Sequence, residues 1–177
     1  YGRRDNKYKA RIKILVHETG AEEFARQVEA EWAELKDGEL KLPEHDIRAI
    51  DAYFAPPAFE ALPARSDAFE RAKAADAEFA RFVERNVVAH RQPGYAALTV
   101  SLKPIGLVPG DASSEQMDAI ADIAERWSFD EIRVSHEQNL VLPHVKLDDL
   151  PLVFAELQRA GLGTSNAGLV TDIIACP

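Results

Sequence analysis

The order of strand-like and helix-like stretches from Tyr95 onward constrains this chain more than any other feature. Strand-like runs extend from Tyr95 to Pro104, from Ile132 to Ser135, from Leu140 to His144 and from Leu169 to Ala175. Two helical patterns sit between them. Ser114 to Trp127 places Met117, Ile120, Ala121, Ala124 and Trp127 on one face, and Ser113 and Gln116 are spaced as a capping box at its start. Asp149 to Ala160 opens on Asp148, Asp149 and Pro151, turns Leu150, Phe154 and Leu157 inward and stops at Gly161. The order is therefore β-α-β-β-α-β.

That order specifies an α+β fold, a ferredoxin-like arrangement whose antiparallel sheet carries both helices on one face. The other face is left free to cover something. Ahead of it lies a helical extension. Phe24, Val28, Trp32 and Leu35 recur at helical spacing between Ala21 and Leu35, with Gly20 separating this helix from a shorter one before it. Between Lys36 and Arg65 the chain carries Pro43, Pro56, Pro57 and Pro63 and loses any period, as an irregular connector wrapped over the surface would. Ser66 then caps an Ala- and Glu-rich helix expected to run to about Val87, and Arg91-Gln-Pro-Gly94 signals a turn. The expected segments are a basic helical stretch over 1–35, the connector and its helix over 36–91, and the ferredoxin-like segment over 92–177.

Charge narrows the range of partners. With 21 basic and 30 acidic residues the net charge is -9, which argues against broad binding to nucleic acid, where Lys and Arg must neutralise phosphates. RNA recognition through a sheet of this topology also requires exposed aromatics on the central strands, and none pair up there. No apolar run approaches the ~20 residues that cross a bilayer, so membrane insertion is not expected. A single cysteine excludes an internal disulfide, and with no signal or transit peptide in view the expected location is the cytoplasm. One local exception to the acidic balance stands out. Arg3, Arg4, Lys7, Lys9, Arg11 and Lys13 set six cations against only Asp5 and Glu18 in the first twenty residues.

A second polar concentration lies between two apolar runs: Arg133, Ser135, His136, Gln138 and Asn139 interrupt the stretch from Glu131 to Leu142. A polar cluster between strands has the composition of a site rim. Phosphate loops, zinc-spaced His and carboxylate pairs and G-x-S-x-G elbows do not occur. The closing run Leu169 to Ala175 leads directly into Cys176 and Pro177. Together with the missing initiating Met, this ending creates the expectation of a cut through a larger protein.

Tyr95-Ala-Ala-Leu-Thr-Val-Ser-Leu-Lys-Pro104, the Gly106 and Gly110 loop, Arg133-Val-Ser-His-Glu-Gln-Asn-Leu140 and Ala175-Cys-Pro177 resemble the assimilatory nitrite/sulfite reductase family. The Arg-rich start followed by Phe24-Ala-Arg-Gln-Val-Glu29 is similar to the end of that family's first half. The resemblance implies a haemoprotein carrying sirohaem coupled to a 4Fe-4S cluster, and the six-electron reduction of nitrite to ammonia or of sulfite to sulfide. It further implies that Arg3 to Lys13 lie beside the cofactor's carboxylates, and that Arg133, His136, Gln138 and Asn139 line its pocket with Lys103. An acidic macrocycle and an anionic substrate both call for such fixed cations and donors. The family's common motif has a basic residue where this chain has Glu137, a departure that alters the local charge.

Cys176 falls where the family has the first of four cluster cysteines. A cluster needs several thiolates and this chain supplies one, so it is expected to hold neither cluster nor sirohaem alone and to be inactive. The implied partners are the rest of the parent reductase, an electron donor that is a ferredoxin or a flavoprotein, and nitrite or sulfite. Self-association through the open sheet face is a further expectation. The competing reading from another class is a non-catalytic ferredoxin-like module that binds a small molecule or dimerises.

Overall fold

A computed structural model describes residues 5–38 and 40–174, with the side chain of Lys9 not described. The chain divides into two compact units, 1–56 and 57–177, where composition pointed to three segments.

The first unit is helical. After a short 3-10 turn at Lys7–Lys9 come α1 (Ile12–Thr19), α2 (Ala21–Leu35) and α3 (Glu44–Tyr53). Gly20 lies between α1 and α2 at φ 86, a left-handed value that Gly alone adopts without cost. None of the three helices contains a buried residue. Ile12, Leu15, Phe24, Val28, Trp32 and Leu35 line a groove of about 700 Å³ along α1 and α2. The helix α3 corrects the expectation of an irregular connector. Pro43 precedes it in extended conformation, Glu44 and Asp46 place negative charge in its first turn, and Ile47 and Ile50 share a face.

The second unit holds the sheet. Its elements are α4 (Asp67–Ala75), α5 (Ala77–Asn86), β1 (Val87–Ala89), β2 (Tyr95–Val100), α6 (Ser114–Trp127), β3 (Arg133–Val134), β4 (Leu140–Lys146) and α7 (Leu150–Arg159). The single helix expected from Ser66 to Val87 is two helices. Asp76 breaks it, because its extended backbone ends α4 while its carboxylate accepts from the Glu78 and Phe79 N–H groups (2.8 and 3.1 Å) and starts α5. The other caps fall where the sequence places them. Ser66 Oγ accepts from Phe69 N–H at 3.0 Å, and Ser113 and Gln116 form the reciprocal capping box of α6.

The four strands lie in the order β1-β2-β4-β3, antiparallel throughout. Strand β1 is a further correction, since the sequence pattern runs the helix to about Val87 and predicts no strand before the turn at Arg91 to Gly94. It also bears on the last expected strand. With β3, β4 and β2 side by side, a final strand returning from α7 has its place at the open edge of β2, and β1 already pairs there through Val87–Leu98 and Ala89–Ala96. Residues 169–174 accordingly form turns and irregular backbone instead of a strand. Residues 175–177 lie outside the described part.

The core is one layer of helix against sheet. Leu98, Val100, Leu142 and Val145 meet Ile120, Ile123, Leu150, Val153 and Leu157. Helices α4 and α5 extend this layer through Phe69, Phe79 and Phe82, and Phe82 packs on Phe154 with ring centroids 4.6 Å apart. The β2–β4 register shifts between Ala96 and Leu98, where Pro143 and His144 of β4 stand opposite Ala97 alone. Proline cannot donate to a ladder and is accommodated at such a bulge. The extra residue keeps both Leu142 and Val145 in the core and turns His144 toward Phe59, His90 and Phe129. Residues 59–62 of the expected connector lie on this unit, with Leu62 packed so close to Gly94 that a Cβ on Gly94 would meet Leu62 Cβ at 2.4 Å.

Phe82 is 0% exposed, and its removal leaves a cavity at the junction of α5 and α7. Phe82→Ala is expected to lower stability by about 3–5 kcal/mol, read as a shift in the midpoint of chemical denaturation with unchanged slope.

Candidate functional site

The polar residues that the sequence singles out in the second unit come together at one end of the sheet, but in two distinct states. Lys103 and Asn139 are buried, and Arg133 and His136 are exposed.

Lys103 lies just past the end of β2 at Val100, and its side chain is 1% exposed. A buried ammonium is tolerated only when its charge is met and its donors are used. Asp172 meets it at 2.7 Å from a side chain itself 6% exposed, and the Glu137 carbonyl accepts a second hydrogen bond. Asn139 joins the same carboxylate through Nδ2 at 2.9 Å while its Oδ1 accepts from Leu102 N–H at 3.2 Å. The other Asp172 oxygen accepts from Gly168 N–H at 2.8 Å. Nearby, Asn166 Nδ2 donates to the Lys103 carbonyl at 2.9 Å. Burial pushes the Asp172 carboxyl up, but the hydrogen bonds of Lys103, Gly168 and Asn139 outweigh it and hold the group below the usual aspartate range.

This knot shapes the loop between β3 and β4. Ser135 N–H donates to the Asn139 carbonyl at 2.9 Å and Gln138 N–H to the Ser135 carbonyl at 3.2 Å. Gln138 sits at φ 58, a left-handed value that a non-glycine residue adopts at some cost. Its Cβ approaches the Cβ position of Gly110 to 3.5 Å. At the loop's tip the His136 side chain is 89% exposed, with Nε2 2.9 Å from the Glu137 carboxylate. Arg133 is exposed on β3 and donates to Glu131 at 2.5 Å.

Glu131 leads into a second cluster that the sequence did not reveal. Its other oxygen lies 3.0 Å from His144 Nε2, and His144 Nδ1 lies 3.2 Å from His90 Nε2. Burial raises the Glu131 carboxyl, and Arg133 with His144 more than reverse this, so it titrates below the ordinary glutamate range. Phe59 packs against His90, Tyr95, Phe129 and His144 with ring centroids 5.1–5.7 Å away. The Pro143 bulge was the available signal, since a proline inside a strand marks a place where a side chain is re-aimed.

In the first unit, Lys7, Arg11 and Lys13 are exposed, and Lys7 Nζ lies 5.3 Å from the centre of the Tyr8 ring. Arg3, Arg4 and Cys176 lie outside the described residues, as does the side chain of Lys9. Among the described residues no three His, Cys, Asp or Glu side chains are placed to hold a metal ion. Also among them, no helix is long and apolar enough to cross a membrane.

Residues 89–160 match the family model of the nitrite/sulfite reductase ferredoxin-like half domain, and residues 1–36 match that of the nitrite and sulphite reductase 4Fe-4S domain. The two stretches together take in more than half of the chain. No curated protein and no solved structure matches it.

Because Lys103 and Asp172 are both nearly inaccessible, Asp172→Asn leaves an uncompensated buried ammonium and is expected to cost about 3–5 kcal/mol. The wild-type pH dependence has a defined sign. An unfolded aspartate titrates near 3.9 and the folded group lies below that, so the stabilisation is complete above about pH 4 and is lost as pH falls through the folded value. Urea denaturation from neutral to acid pH should show this slope in the wild type and a reduced one in Asp172→Asn.

Proposed function

Since the chain belongs to the nitrite/sulfite reductase family, we propose that it serves a sirohaem-dependent reductase of nitrite or sulfite as cofactor cradle and scaffold. When bound, sirohaem coupled to a 4Fe-4S cluster would bind the anion and pass to it the six electrons that an external donor provides. The observation that carries the reading is the pairing, in one chain, of a basic segment matched to the 4Fe-4S domain with a half-domain matched to its ferredoxin-like partner.

The residues differ in how they suit an acidic tetrapyrrole. Lys7, Arg11 and Lys13 are exposed cations of the kind that meet carboxylates by charge-assisted hydrogen bonds, and in the sequence Arg3, Arg4 and Lys9 belong to the same run. Arginine adds a planar fork that grips a carboxylate through two parallel bonds. Arg133 and His136 present a cation and an imidazole at the exposed end of the half-domain. Lys103 and Asn139 do not suit direct contact as they stand, because Asp172 engages both. Their role in this reading is to hold the Ser135–Asn139 loop in shape. Gln138, fixed at its left-handed position, belongs to that same loop.

The reading assigns the chain no turnover by itself. Its one thiol, Cys176, falls short of the several a cluster requires. The remaining thiolates, the electron donor and the cytoplasmic setting would come with the parent enzyme. The purified 177-residue chain is expected to show no visible-range absorbance, no iron and no nitrite or sulfite reduction. A sirohaem band with stoichiometric iron would overturn the scaffold reading. In a parent enzyme carrying the same segment, replacing Arg11 and Lys13 together by Ala should weaken sirohaem binding by roughly a hundredfold or more, each charge-assisted contact being worth about 1.5–3 kcal/mol.

A further inference from the structure

The cluster around His144 is unused by the cradle, and its hydrogen bonds leave little freedom in where protons can sit. The Gln92 backbone N–H donates to His90 Nδ1 at 2.8 Å, so that nitrogen is an acceptor and the neutral ring carries its hydrogen on Nε2. That hydrogen points at His144 Nδ1, 3.2 Å away, which must therefore accept. His144 in turn carries its hydrogen on Nε2 and donates to Glu131 at 3.0 Å. Every nitrogen of both rings is used once, in a single direction, with both imidazoles neutral.

An added proton has no place in this chain. On His90 Nδ1 it would face the Gln92 N–H, and on His144 Nδ1 it would face the His90 N–H. If His90 turned its tautomer to relieve the second conflict, it would create the first. The same arrangement speaks against a metal bridging the two rings, because His90 Nδ1 accepts from a backbone N–H and its Nε2 must stay protonated.

The rings also hold a strap. Phe59 packs against both at 5.2–5.4 Å, the next residue's N–H donates to the Tyr95 hydroxyl at 3.1 Å, and the Glu60 carboxylate accepts from Lys146 at 2.5 Å. The connector that leaves this unit toward Pro57 is thereby fastened to the outer face of the sheet. We propose that the His90–His144 pair is a proton-operated latch that fastens the Phe59–Glu60 strap while both rings are neutral and releases it when a proton enters the pair.

The charged surroundings agree with this. His90 is held below the ordinary histidine range first by burial and then by nearby positive charge, that of Arg133 and Arg91 and of His144 once it gains a proton. Glu131 faces the pair from the turn after α6, Arg133 from β3 through Glu131, and Tyr95 from β2. Lys146 and Glu60 face the strap's outer side. An unfolded or released histidine titrates near 6.5. The latched form binds its proton less readily, so latching is complete above about pH 6.5 and weakens as pH falls through the latched value.

The Glu60 amide, bonded to Tyr95, reports the strap directly. Hydrogen exchange of the full chain, corrected for the intrinsic rate, should show Glu60 protection falling about tenfold between pH 7.5 and 5.5, the factor by which a released histidine favours its proton one unit below 6.5. The Ile123 amide in α6 should keep its protection. In His90→Phe, which retains a ring against Phe59 but has no proton to gain, Glu60 protection should be independent of pH. Unchanged Glu60 protection in the wild type, a parallel loss at Ile123, or the same loss in His90→Phe would each overturn the latch. Should His90→Phe fail to fold, the wild-type imidazole nitrogen spectrum at neutral pH decides. Both rings protonated on Nε2 support the latch, and any other tautomer on either ring refutes it.

Discussion

One buried ion pair organises the polar end of the half-domain. An ammonium in the interior costs several kcal/mol unless its charge and donors are met, so Lys103 can be buried only because Asp172 reaches it from 69 positions along the chain. The consequences spread outward from that contact. Asp172 draws residues 168–172 across the end of the sheet, takes up Asn139, and through Asn139 and the Glu137 carbonyl fixes the loop that carries His136 and Gln138. The exposed cation Arg133 and the imidazole of His136 are displayed around a centre that is already neutralised. This end of the half-domain has a buried, internally paired interior and an exposed rim.

The sheet makes a similar division between its faces. The Pro143 bulge lets β4 give Leu142 and Val145 to the helical side while His144 points the other way. The helical side is an apolar core of ordinary kind. The outer side carries aromatic rings, two histidines and a strap from the connector, which between them cover the end of the sheet near Tyr95.

What could be read in the sequence was local. The capping box of α6, the Pro151 start and Gly161 stop of α7, and the Phe24 to Leu35 stripe of α2 depend on spacings of three or four residues, and the structure reproduces them. The misreadings involve partners distant in sequence or competition for one place. Strand β1 was hidden because its pairing with β2, more than its own three residues, makes it a strand. Leu169 to Ala175 has strand composition, yet the edge it would join is occupied and its Asp172 is held elsewhere. Lys103 stood out as a cofactor contact by position in the family, and nothing near it in sequence indicated a carboxylate partner. Helix α3 and the break at Asp76 were legible in principle, through Ile47 and Ile50 and through an Asp followed by Ala-Glu-Phe.

The acidic chain concentrates cations at Arg3 to Lys13, within the stretch that matches the 4Fe-4S domain model. Lys103, by contrast, is buried and paired with Asp172. A double-mutant cycle on Lys103→Met and Asp172→Leu, followed by chemical denaturation, addresses this pairing most directly. A coupling energy at or above about 2 kcal/mol is expected for residues that share one buried network. A coupling below about 0.5 kcal/mol would mean that the two side chains act independently, and that the loop of Arg133 to Asn139 owes its shape to something else.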